Sequence, residues 1–441
     1  MRCSLQDIFA QFFDKFAQQH KLHPRELHAA SCIRNCYTPA LASHALVCPR
    51  GHYLQRQLHG CHHRSCPRCA ARPRALWTQF QLQRLLPCPH VHIVFTLPHV
   101  LLPLWSLNRS AMIALLFACA RDTLMELMAD PKRLGVCPAL LMALHTWGRN
   151  LSHHPHIHCL LSAGGIDPLG NWQAGNSKFL LPLKPVQRLF QGKLLASLKA
   201  QLLSNQLTLP VQQPLHQWLA CIKALYTAHW NVQIEPPYAH ARGVALYLAR
   251  YVKGGPLPAD RPLSLDSNGL VRLPYTDHRD GRTKTLCLSA DEFISRILWH
   301  IPPKGIHTVR YAGLYTRSHR VQYALAQSHL LSQLASPCLP PEPAPLAAQL
   351  AAPANTPPHT SPAPLCPTCS SPLQRRLLPC AVPRKSQISL ISQRCHLHAL
   401  RATPAGAPTG TLTGTPRATT SPPGPTLRSR RHRSASPSGA S

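Results

Sequence analysis

The chain has 441 residues, 44% of them hydrophobic, which excludes disorder throughout and leaves room for about two to three domains with buried cores. Lys and Arg number 47 against 15 Asp and Glu, a formal charge of +32; an excess of that size repels itself unless a polyanion lies against it, which points to nucleic acid. No segment is a run of about eighteen apolar residues and the N-terminus lacks the basic-then-apolar order of a secretory leader, so a cytoplasmic protein with no membrane partner is expected.

In chain order, residues 1–80 form a module rich in cysteine and histidine, and residues 85–330 a second, larger domain. Val91 to Thr96 reads as a strand by its β-branched content, and Asn108 to Met128 as a helix by the spacing of its apolar residues. Leu140–Trp147 and His156–Leu161 are two further strands split by a polar turn around Asn150 and Ser152, the second ending at Gly164-Gly165. A helix is expected near Pro185–Leu203, a strand over His229–Ile234, and a helix over Gly243–Val252 that stops at Gly254-Gly255-Pro256. Strands alternating with helices imply an α+β or α/β sheet with the histidines in its middle. Residues 336–441 hold 21 of the 46 prolines and a single acid, Glu342, and such a segment is expected to stay disordered.

The chain has 18 cysteines. In a reducing compartment, Cys-x-x-Cys spacing reads as metal ligation before disulfide formation. Cys48, Cys61, Cys66 and Cys69 supply the four soft donors that tetrahedral zinc requires, and His52 could replace one of them. Cys366-Pro-Thr-Cys369, with Cys380 and Cys395, is a weaker candidate for a second zinc site.

His156 and His158 lie two apart on a strand and therefore point to one face, where they can share a metal. His-x-His triplets recur at His90/His92, His154/His156 and His396/His398, so spacing alone selects none. The apolar residue between His156 and His158, the run Cys159-Leu160-Leu161 and the following glycine pair favour that one. His145 is the candidate third ligand, brought back by a strand-turn-strand path. Imidazoles bind hard Mg²⁺ weakly, so substrate phosphate would complete the shell. Tyr247 and Tyr251 are four apart among good helix formers and share a face, with Arg242 and Arg250 near enough to meet phosphates. Tyr311 and Tyr315 have the same spacing, but Gly313 between them argues against a rigid helix.

Taken together, Cys36-Tyr-Thr-Pro-Ala-Leu41, Ser65-Cys66-Pro-Arg-Cys69, Val94-Phe-Thr-Leu-Pro-His99, Leu144-His-Thr-Trp-Gly148, His154-Pro-His-Ile-His-Cys159, Tyr247-Leu-Ala-Arg-Tyr251 and Arg310-Tyr-Ala-Gly-Leu314 resemble the two-tyrosine HUH (His-hydrophobe-His) transposases of bacterial insertion sequences, the IS91 family and its common-region relatives. Position 51 departs from the pattern: it is Gly where many relatives complete a first Cys-x-x-Cys. The resemblance implies an α+β fold, a small zinc-binding domain followed by an HUH endonuclease sheet flanked by helices. It also implies cleavage and rejoining of single-stranded DNA at transposon ends, with target DNA as a further partner, through a 5′-phosphotyrosine link to Tyr247 or Tyr251. Mg or Mn would sit on His156, His158 and His145, and Zn in the N-terminal module. The nearer alternative is an HUH replication initiator or relaxase; a zinc DNA-binding protein without chemistry is a rival class, and a cut-and-paste enzyme with an acidic triad fits poorly, since no triad is recognisable among the few acids.

Overall fold

The computed structural model describes residues 2–176, 180–236, 254–258, 260–277, 280–335 and 364–378. Tyr247, Tyr251, Arg242, Arg250, Cys380 and Cys395 lie outside the described residues.

The chain starts with a two-residue strand, β1 (Arg2–Cys3), and a helix whose entry is fixed chemically. The Ser4 hydroxyl accepts from the Asp7 amide while the Asp7 carboxylate accepts from the Ser4 amide, satisfying two otherwise orphaned donors of α1 (Leu5–Gln19). A proline in the first turn opens α2 (Pro24–Asn35), the hairpin of β2 (Ser43–Val47) and β3 (Leu54–Leu58) follows, and α3 (Pro67–Arg84) again begins on proline, directly after Cys66. The central part of the chain contributes β4 (His90–Thr96), α4 (Leu102–Leu107), α5 (Arg109–Ala129), β5 (Cys137–Trp147), β6 (His153–Ile166), β7 (Trp172–Ala174), α6 (Leu183–Leu203), α7 (Leu215–Leu225) and β8 (Val232–Ile234). Then come β9 (Leu263–Leu265), β10 (Leu270–Thr276), β11 (Thr283–Ser289), α8 (Ala290–Leu298), β12 (Val309–Gly313), α9 (Arg320–Ala335) and, far downstream, β13 (Gln374–Leu378).

Three antiparallel sheets form among the described residues. The central one has the order β12-β5-β6-β4-β8, with β7 added to the end of β6. Alternation along its strands sends Ile93, Phe95, Leu140, Met142, Leu144, Ile157, Cys159 and Leu161 to one face, where they join residues of α4 to α7 in the largest core. Phe95 meets Phe190 of α6 at 4.5 Å between ring centroids there, and each such fully buried side chain contributes about 1.5–3 kcal/mol. On the opposite face Ala139, Leu141, Ala143 and Leu160 pack with Leu86, Tyr315 and Leu330, but only along one end of the strands. Toward the other end that face carries His92, His145, His156 and His158, the sheet position that makes a site.

The strand expected to stop at Gly164-Gly165 runs through both to Ile166. A Cβ at Gly165 would lie 2.4 Å from the Cys137 carbonyl oxygen, and one at Gly164 2.6 Å from that of Gln173. The glycines let β5 and β7 close on either side of β6 rather than ending it. The strand anticipated over His229–Ile234 is confined to Val232–Ile234.

The second sheet, β1-β9-β10-β11, is covered by α1, α2 and α8. Phe9, Phe13, Phe16 and Ile33 share a core with Val271, Leu273, Phe293 and Ile297, so residues before position 80 and residues 257–301 are folded together rather than as separate segments. The third sheet is β13-β2-β3. Residues 364–378, placed by the sequence within a disordered tail, supply its edge strand: Gln374 pairs with Val47 and Leu378 with Ser43.

Candidate metal centres and the histidine cleft

On β5 and β6, His145 is the direct cross-strand partner of His156, and Ala143 that of His158. Each of the three histidines offers one ring nitrogen, and these atoms lie within 4.8 Å of one another. Their rings are buried, at 2%, 8% and 5% exposure for His145, His156 and His158. The His156 Nδ1–H donates to the His154 carbonyl at 2.6 Å, which leaves Nε2 as the nitrogen with a lone pair. That atom is 3.0 Å from Nε2 of His158, about the edge of an octahedron with ~2.1 Å metal–ligand bonds. His158 Nδ1 is in turn 2.8 Å from Nε2 of His92 on β4, a partner that orients the ring from behind. Burial pushes His156 down to about 4, against the opposing pull of the hydrogen bond to the His154 carbonyl, and burial together with the neighbouring imidazoles holds His145 and His158 well below the ordinary imidazole range. The three rings are therefore neutral donors at neutral pH, the form a cation requires, and the donor set fits a divalent metal.

These rings form the floor of a cleft of about 1360 Å³ whose walls include Arg74, Arg149, Arg261, Gln233 and Glu235. Arg149 and Arg261 are held in place by donating to the carbonyls of Thr276 and Pro274. Glu235 and Gly255, on the two sides of the stretch that contains Tyr247 and Tyr251, both line it. Tyr275 is the tyrosine among the described residues that lines the cleft. The rival pair Tyr311 and Tyr315 is elsewhere. Tyr311 is on β12, Gly313 takes the left-handed φ of +54° that breaks any shared helix, and the buried Tyr315 hydroxyl accepts from the Leu86 amide and bonds His90 Nε2.

The cysteines divide differently from the set anticipated. Cys61, Cys66 and Cys69 gather with Cys36, the residue just past the end of α2, and not with Cys48 or His52. Sulfur separations are 3.5 Å for Cys36–Cys69 and Cys36–Cys66 and 3.8 Å for Cys61–Cys69, too long for a disulfide and about the ~3.8 Å edge of a tetrahedron with 2.3 Å zinc–sulfur bonds. The His63 amide donates to Cys61 Sγ at 3.4 Å. Gly60 has to be glycine, since a Cβ there would lie 2.8 Å from Cys69 Sγ. Desolvation pushes the Cys36 thiol up to about 12 in the absence of a cation, and four thiols so packed fit zinc. Cys48 and His52 instead lie with Cys366 and Cys369. The sequence reading missed Cys36 as a ligand because the nearest cysteine, Cys32, is four residues away and makes no Cys-x-x-Cys pair with it; the signal was arithmetic, three local donors needing a fourth. His92 was noted only as one triplet among several.

Comparison with known proteins agrees with this architecture. Residues 140–322 match a family described as a putative transposase, and residues 8–97 match the transposase zinc-binding domain. The fold and site therefore define a transposase with an N-terminal zinc-binding domain. The chain is 33% identical over 341 residues to the putative transposase y4qJ of Sinorhizobium fredii, covering 75% of this chain and 84% of that protein. It is 34% identical over 282 residues to the transposase for insertion sequence element IS801 of Pseudomonas savastanoi pv. phaseolicola, covering 63% of this chain and 65% of that protein. The chain belongs to the IS91 family of insertion-sequence transposases. No solved structure matches it. No helix among the described residues is long and apolar enough to cross a membrane.

Proposed function

We propose that the protein nicks and rejoins single-stranded DNA at transposon ends through a 5′-phosphotyrosine intermediate, as in rolling-circle transposition, and acts in the cytoplasm on chromosomal DNA. The observation that carries this reading is the convergence of His145, His156 and His158 on the floor of a cleft that holds Arg74, Arg149 and Arg261 alongside Glu235, Asp260 and Asp277, and that is lined on both sides of the tyrosine segment, at Glu235 and Gly255. Mg²⁺ or Mn²⁺ held by these three histidines would polarise the scissile phosphate and offset its developing charge.

The chain's own groups do the rest. Arg74, Arg149 and Arg261 neutralise backbone phosphates and hold a single strand in the cleft. Arg242 and Arg250 lie close in sequence to the tyrosines and act in the same way. The Oη of Tyr247 or Tyr251 gives up its proton and attacks phosphorus; the P–O3′ bond breaks, and the 3′-oxygen takes a proton to leave as a hydroxyl. The phosphodiester energy stays in the tyrosine ester, so rejoining needs no ATP. With two tyrosines, one cuts the first end while the other receives the second cut or the target strand.

The test is to incubate the protein with labelled single-stranded oligonucleotides from the DNA flanking its gene, with Mg²⁺ or with EDTA, and resolve the products under denaturing conditions. A covalent protein–DNA band that needs Mg²⁺ and disappears in Tyr247→Phe/Tyr251→Phe is the expected result. Soluble protein that binds these strands but forms no adduct with any end would leave a DNA-binding protein without chemistry. An adduct formed instead on a plasmid origin would identify a replication initiator or relaxase.

A further inference from the structure

We propose that the chain has a second structural zinc site, a Cys₃His centre made by Cys48 and His52 from the loop between β2 and β3 and by Cys366 and Cys369 from the segment leading into β13. It is separate from the Cys36, Cys61, Cys66, Cys69 cluster and does not depend on the chemistry of the cleft. One ligand atom from each of the four residues lies within 4.8 Å of the others, with Cys48 Sγ and Cys369 Sγ 3.5 Å apart.

The backbone on both sides is shaped as a metal knuckle. In the first, the Arg50 amide donates to Cys48 Sγ at 3.4 Å, the same step of two residues by which His63 serves Cys61 in the other cluster. The loop then turns through Gly51 at φ +78°, which carries the chain round to His52. In the second, Ser370 takes φ +55° and its amide donates to the Cys366 carbonyl, while the Cys366 amide donates to that of Ser371. Leu365 and Pro372 bridge above it, closing a hairpin that runs on into β13. Two hairpins, each contributing a pair of ligands at its tip, make a ribbon whose fold depends on the ion.

The packing supports the same conclusion. Apart from the two buried cysteines themselves, the core of this sheet is Leu46 and Leu373, with Tyr53 and Cys369 against it. Leu54 and Leu377 are exposed at 72% and 76%. A three-stranded sheet with so little buried apolar surface does not hold one edge strand contributed by a segment some three hundred residues away. A tetrahedral ion joining the two knuckles supplies what the core lacks. Position 51 explains the donor type: with Gly where a Cys-x-x-Cys would end, the next residue, His52, takes the fourth place.

Zinc content of the full chain, measured by elemental analysis after dialysis, tests this. Cys366→Ser/Cys369→Ser is expected to carry one zinc fewer per chain than the unmodified protein, and Cys380→Ser/Cys395→Ser the full complement. His52→Cys is expected to keep the ion and His52→Ala to lose it on dialysis. An unchanged count in folded Cys366→Ser/Cys369→Ser, or an equal loss in Cys380→Ser/Cys395→Ser, overturns the assignment. Should the double variant fail to fold, alkylation of the unmodified protein by iodoacetamide decides: Cys48, Cys366 and Cys369 are expected to be shielded together and to become reactive together on adding a chelator. Reaction of all three in zinc-loaded protein at the rate of the exposed Cys287 overturns it as well.

Discussion

Nε2 of His92 lies 2.8 Å from Nδ1 of His158, the ring nitrogen other than the Nε2 that meets His156 at 3.0 Å. His92 thereby fixes which nitrogen of His158 faces the cleft without joining the trio itself. Replacing it by leucine keeps the volume and removes the hydrogen bond. Affinity for Mn²⁺, followed by electron paramagnetic resonance titration, is expected to fall by about 10–100-fold, with adduct formation recovering at high metal. His158→Ala should not recover, because a ligand is gone.

Cys36 completes the four-sulfur cluster from a position remote in sequence from the other three. Cys36→Ser is expected to lose one zinc per chain and to lower the melting temperature, since the binding energy of a structural zinc is folding energy. Cys287, which is exposed and outside the cluster, serves as the control: Cys287→Ser should keep both the zinc and the melting temperature.

Tyr315 separates a structural tyrosine from a nucleophile. Tyr315→Phe strands a buried His90 nitrogen and the Leu86 amide, at a cost of about 1–3 kcal/mol. Thermal stability should drop while the covalent DNA adduct still forms. Loss of the adduct in a folded Tyr315→Phe protein would move the nucleophile away from Tyr247 and Tyr251.

Burial pushes His90 down to about 4 in the folded protein, against ~6.5 when unfolded. The unfolded chain binds the proton first, so this histidine's contribution is complete above about pH 6.5 and is lost as the pH falls toward 4, at up to ~1.4 kcal/mol per pH unit. The slope of unfolding free energy against pH, measured by urea denaturation between those limits, should be shallower in His90→Gln by about that amount.

Much of the site was legible because its signals are local. The two-residue period of β6 puts His156 and His158 on one face whatever surrounds them, and a short turn forces β5 back so that His145 meets His156. The split of the cysteines was not legible. Which residues close a tetrahedron depends on chain ends brought together by the tertiary fold, and Cys48 is as near in sequence to Cys61 as a ligand partner would be, yet is turned to the other sheet by the β2–β3 hairpin. The glycine pair was misread for a related reason: a glycine that ends a strand and one that admits neighbouring backbones look alike until the neighbours are known.

The pairing of Val47 with Gln374 also orders events during synthesis. β2 and β3 leave the ribosome some three hundred residues before their edge partner and wait, with one edge unsatisfied, until that segment follows. A message truncated before codon 364 would yield a polypeptide retaining the histidine cleft yet bearing an exposed sheet edge and a half-built thiol cluster, a ready mark for proteolysis.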